Sequence, residues 1–131
     1  MDENIPDDQR QLLYGRHIQS YQIGHEIGCK GMKDSEIIPF LLGLPAPTFF
    51  TRDKGFYNRR LCHSRFCIIC LAVGQHEVAD FVYRILKHSD LYTKAKRMGK
   101  VILATHAGIR ILKVKSTKET CAVWTCSRQK Q

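Results

Sequence analysis

At 131 residues the chain has the length of one domain, long enough to bury a core and too short to hold two comfortably. Hydrophobic residues make up 44% and charged residues 25%, an ordinary globular balance that excludes a largely disordered or repetitive chain. Lysine and arginine number 21 against 12 aspartates and glutamates, and the resulting net charge of +9 favours a polyanionic partner such as nucleic acid.

Pro6 suits a first helical turn, Asp7 and Asp8 suit its positive end, and the helix is expected to reach about Tyr14 and close at Gly15. Residues 17–23 have the extended, partly β-branched character of a short strand, and 24–33 carry three glycines and no period, as a loop does. Asp34 has the chemistry of a helix N-cap, with Glu36 in the first turn and Ile37, Ile38, Leu41 and Leu42 as an apolar stripe. Pro39 predicts that this helix is short, kinked or late to start. After the stiff connector Leu44-Pro45-Ala46-Pro47, residues 48–51 read as a buried strand that delivers Asp53 at its end. The basic segment 54–65 reads as a loop or irregular helix.

Residues 66–73 form the most apolar run and the expected central parallel strand. Its core, 67–73, is far below the roughly 18 residues needed to span a bilayer, so no transmembrane helix and no membrane partner are expected. The opening Met-Asp-Glu-Asn has neither a positive leader nor an apolar stretch behind it, which points to the cytoplasm and to reduced thiols for the six cysteines. Val78, Phe81, Val82, Ile85 and Leu86 recur at helical spacing, with Glu77 and Asp80 early and Lys87 late. A shorter helical continuation through Leu91, Ala95 and Met98 is predicted to end at Gly99. Residues 101–105 and 109–115 then read as a hairpin around His106-Ala107-Gly108. Strand and helix in alternation imply an α/β fold over residues 1–115, followed by a basic tail, 116–131, without a period.

Asp2, Asp34 and Asp53 each fall at an element boundary, and acids at the carboxyl ends of parallel strands converge even when distant in sequence. Such oxygen donors suit Mg²⁺ or Mn²⁺, ions able to assist phosphodiester hydrolysis. Equally, Asp34 serves as a helix cap, Asp53 as a turn residue and Asp2 as a terminal charge, and spacing does not decide between these readings. Arg52, Lys54, Arg59, Arg60 and Arg65, interleaved with Phe56 and Tyr57, have the composition of a nucleic-acid surface, as does the cluster at 94–100, although a solvated basic face has the same composition. Cys62, Cys67 and Cys70 with His63 invite a zinc reading. Strand alternation instead sends Cys67 and Cys70 to opposite faces, which favours buried thiols. His17, His25 and His106 form no spaced cluster and receive no role.

Four segments occur in the order seen in compact PIN-like nucleases: Asp-Glu-Asn-Ile-Pro at 2–6, Gly-Met-Lys-Asp-Ser-Glu-Ile-Ile at 31–38, Thr-Arg-Asp-Lys-Gly-Phe at 51–56 and Gly-Lys-Val-Ile-Leu-Ala-Thr-His-Ala-Gly-Ile-Arg-Ile at 99–111. The chain therefore resembles that family from about residue 2 to 115. The resemblance implies a three-layer α/β/α sandwich with a mainly parallel sheet and a closing hairpin. It also implies an endoribonuclease, frequently the toxin of a toxin-antitoxin pair, whose acids hold Mg²⁺ or Mn²⁺. Asp2, Asp34, Glu36 and Asp53 match the family's acids, with Glu3 as a further candidate and Thr51 placed to bond a metal-bound water or to orient Asp53. Expected partners are RNA, a cognate antitoxin protein and a second copy of the chain. Only Met1 precedes Asp2 where relatives carry an apolar strand, Gly55 stands where relatives often carry a second acid, and Pro39 lies inside a helix. These departures define the alternative, a catalytically weak PIN-like module that binds RNA or protein.

Overall fold

The computed structural model of the chain describes residues 5–15, 34–114, 116 and 118–124, with Asp34 and Ser35 described by their backbone alone. Asp2, Glu3 and the strand expected at 17–23 lie outside these residues. Helices α1 (Asp7–Gly15), α2 (Asp34–Leu42), α3 (Val78–Lys87) and α4 (Lys94–Arg97) combine with strands β1 (Thr48–Thr51), β2 (Cys67–Leu71), β3 (Lys100–Ala104), β4 (Ile109–Lys113) and β5 (Thr120–Ala122) in a mixed α/β fold. Residues 54–65 wind into two 3-10 turns, Lys54–Phe56 and Arg59–Leu61.

The strands lie side by side in chain order. β1, β2 and β3 run parallel, with Thr51 beside Cys70 and Leu71 beside Ala104. β3 and β4 form the expected hairpin, Leu103 opposite Arg110, and β5 pairs antiparallel with β4, Arg110 opposite Cys121. The sheet is therefore mixed rather than mainly parallel, with two parallel and two antiparallel pairings. The difference originates in the segment read as a tail. β5 is only three residues long and largely exposed, too short to show an alternation, yet it holds Trp124 in the core at 7% exposure.

Strand alternation divides the core between the two sheet faces. Phe50, Cys67, Ile69, Leu71, Ile102 and Ile111 pack in one cluster with Leu13 of α1 and Val78, Phe81, Val82 and Ile85 of α3. Phe49, Ile68, Cys70, Val101 and Leu112 pack in a second with Ile37 and Leu41 of α2 and with Phe56 and Phe66. β2 is buried at every position, which is why its sequence is a continuous apolar run. Cys67 and Cys70 fall in different clusters, as alternation requires.

Three local features of the helices have plain causes. α2 runs through Pro39 because the ring lies on its exposed side while Ile37 and Leu41 anchor the buried one. The start of α3 has no side-chain cap of its own, and its Ala79 N–H donates instead to Oε1 of buried Gln9, 2.9 Å away on α1. α3 also stops at Lys87 rather than continuing. His88 adopts an extended backbone, and its ring is buried with Nε2 at 2.9 Å from the Val123 carbonyl oxygen. α4 restarts only as a short turn, capped where the Lys96 N–H donates to Thr93 Oγ1 at 3.1 Å.

Candidate functional site

Three parallel strands place their carboxyl ends together, and open α/β sheets gather ligands at such an edge. The segments leaving that edge are 52–53, 72–74 and 105–106. Arg52 ties the first two, Nε and Nη2 both donating to the Val73 carbonyl oxygen at 3.2 Å. The third is joined to the second where the Ala72 N–H donates to the Ala104 carbonyl oxygen at 2.8 Å.

Asp53 follows β1 directly and its side chain is exposed. Oδ1 accepts the Gly55 N–H at 2.8 Å, so the carboxylate caps the first 3-10 turn. The Asp53 N–H donates to Oγ1 of Thr51 at 3.1 Å, and Thr51 is fully buried, so the backbone carrying the carboxylate is held from below. A Cβ on Gly55 would stand 3.0 Å from Asp53 Oδ1, so glycine here leaves room for the cap. Burial pushes the Cys70 thiol up to about 12, and the Asp53 charge adds to that shift.

The other acids divide by what is described. Glu36 is exposed in the first turn of α2. Asp34 opens α2 by its backbone, while its side chain and all of Asp2 lie outside the described residues. No group of three or more His, Cys, Asp or Glu side chains that could hold a metal occurs among the described residues. Asp53 has the hard-oxygen chemistry of a Mg²⁺ or Mn²⁺ ligand, and Asp2 and Asp34 are the acids whose side chains would have to join it. Cys62, Cys67 and Cys70 are free thiols, and burial raises all three.

The basic residues do not share one place. Lys54 adjoins Asp53 and is exposed, whereas Arg52 serves the loop clamp. Arg59 donates from Nη1 to the Ser116 carbonyl oxygen, and Arg60 follows it in the second 3-10 turn. Arg65 precedes β2, whose first residue pairs with Thr48. It therefore lies near the amino end of the parallel strands, away from Asp53. In the 94–100 cluster, Arg97 is half-buried, donating to Thr48 Oγ1 at 3.1 Å and to the Leu91 carbonyl oxygen at 2.9 Å, and burial lowers its pKa.

A pairing at the same edge escaped sequence reasoning. Glu77 Oε1 accepts the Gly74 N–H at 2.8 Å, and His106 Nε2 lies 2.9 Å from Glu77 Oε2, which links the loop after β2 to the hairpin turn. The hydrogen bond to His106, then that from Gly74, holds the Glu77 carboxyl below its usual range. The two residues are 29 positions apart in sequence, and no motif connects them. A cavity of about 870 Å³ opens beside this edge, and its lining includes Lys54, Leu103, Thr105, Gly108, Arg110 and Cys121. No helix is long and apolar enough to cross a membrane among the described residues. No protein-family profile, curated protein sequence or solved structure matches the chain.

Proposed function

We propose that the chain is a metal-dependent endoribonuclease in which Asp53 joins Asp2, Asp34 and Glu36 around Mg²⁺ or Mn²⁺. One observation carries the reading: Asp53 stands exposed at the carboxyl end of a parallel strand, with Lys54 beside it. The charge of +9 supports a phosphate-rich substrate. A divalent cation supplies counter-charge to phosphoryl oxygens and a more acidic water. Around it, the Gly55 N–H and the Thr51 hydroxyl fix Asp53, and Lys54 neutralises a neighbouring phosphate. The family resemblance extends the proposal to a toxin neutralised by a cognate antitoxin protein.

The test is RNA degradation by the purified chain with Mn²⁺ or Mg²⁺, its arrest by EDTA, and its loss in Asp53→Asn. Asparagine retains an oxygen that accepts the Gly55 N–H, so the turn survives and only the charge is removed. Cleavage that persists in EDTA, or in Asp53→Asn, refutes the mechanism. A second reading, an RNA-binding module with weak or no catalysis, is favoured by the cap itself, because it gives Asp53 a structural task without any metal. Salt-sensitive RNA binding indifferent to EDTA, with no cleavage, selects it.

A further inference from the structure

The cavity beside the candidate site carries two basic side chains in its lining, Lys54 and Arg110. On β4, Ile109 and Ile111 enter the core beneath α1 and α3, so Arg110 between them projects from the opposite face. Cys121 is its cross-strand neighbour, and both are exposed. Leu103, opposite Arg110 on β3, supplies an apolar floor on the same face. Lys54 reaches the cavity from the turn that follows Asp53. Neither the Lys54 nor the Arg110 side chain makes a hydrogen bond or ion pair among the described residues, although the Lys54 carbonyl oxygen accepts the Tyr57 N–H at 3.0 Å. Asp90 is the one carboxylate in the lining, on the side reached from the end of α3. Two cations above an apolar floor, one of them next in sequence to Asp53, have the composition of a groove that tracks a sugar-phosphate backbone while bases rest on carbon.

We propose that this cavity is a single-stranded RNA groove in which Arg110 and Lys54 hold phosphates of the strand that passes Asp53. The proposal rests on the nuclease reading for the direction of the strand, but its binding claim is measured without catalysis. Charge complementarity commits the groove to RNA rather than to a protein partner: its two cations belong to a chain whose net charge is +9.

Binding of a fluorescein-labelled single-stranded RNA of about 12 nucleotides, a length within one-domain site sizes, is followed by anisotropy in EDTA across a salt series. Arg110→Gln and Lys54→Gln are each expected to weaken binding several-fold and to lower the slope of log K against log salt by about 0.7, one single-strand phosphate contact. Lys113→Gln removes the same charge from the other face of β4, the one shared with Ile109 and Ile111, and is expected to leave that slope nearly unchanged. Equal losses in Arg110→Gln and Lys113→Gln overturn the groove, since net charge alone would then account for binding. Absence of binding by the unmodified chain also overturns it. Arg110-dependent binding without Mn²⁺-stimulated cleavage upholds the groove and refutes the nuclease reading, whereas cleavage with Arg110-independent binding does the reverse.

Discussion

Replacing Trp124 by alanine measures how firmly residues 118–124 belong to the fold. The indole is 7% exposed, meets Phe81 edge-on with ring centroids 5.4 Å apart, and donates from Nε1 to the Thr105 carbonyl oxygen. Truncating a buried tryptophan costs about 3–5 kcal/mol, and the lost hydrogen bond adds about 1 kcal/mol. Because Trp124 closes an edge strand rather than filling the centre, a loss near 3 kcal/mol is expected, a large share of the roughly 5–15 kcal/mol that holds a domain together. For a chain of this size the melting temperature should fall by roughly 9–15 °C. Urea unfolding followed by far-UV circular dichroism gives the difference, and Trp124→Phe, which keeps the contact with Phe81, should lose less. As the chain's single tryptophan, Trp124 also reports its own burial through blue-shifted fluorescence resistant to acrylamide. A Trp124→Ala variant within about 0.5 kcal/mol of the parent refutes the docking of this segment.

A Cβ at position 108 would lie 2.7 Å from the Ala122 carbonyl oxygen, so Gly108→Ala must push β5 away and should cost about 1–3 kcal/mol in urea unfolding; an unchanged midpoint contradicts the packing. Burial pushes the Cys67 and Cys70 thiols up to about 12, whereas Cys121 is exposed. Alkylation with peptide mapping should therefore mark Cys121 in the native protein and Cys67 and Cys70 only after unfolding. Glu77 is held below its usual 4.5 by His106 and Gly74, so its contribution is complete above that value and is lost as pH falls through the lowered one. The urea midpoints of the parent and Glu77→Gln should differ near neutrality and converge as pH falls below the ordinary carboxylate range; a gap constant with pH rejects the linkage.

What the sequence disclosed follows the strength of its periodic signals. α3 was legible because its apolar residues repeat at helical spacing, and β2 because burial on both faces leaves no polar position to interrupt it. The hairpin of β3 and β4 was legible from two apolar runs flanking a three-residue turn. β5 was not, since three residues of which two are exposed have no period, and what anchors them is one ring whose partners are distant in sequence. Gln9 capping α3 and Glu77 meeting His106 were hidden for the same reason: each joins positions brought together only by the fold. Asp53 was identifiable as an acid at a strand end, and its position there holds, but its capping bond and its support from Thr51 arise only once the chain has folded.

Because spatial order and chain order coincide from β1 to β5, a ribosome releasing this polypeptide hands each described strand to an edge that is already waiting. No insertion between paired neighbours is required, and the sheet lengthens in one direction during synthesis. Until residues 120–124 clear the exit tunnel, the outer rim of β4 stays open to foreign chains, an aggregation hazard that ends when β5 zips on and the indole seats behind it.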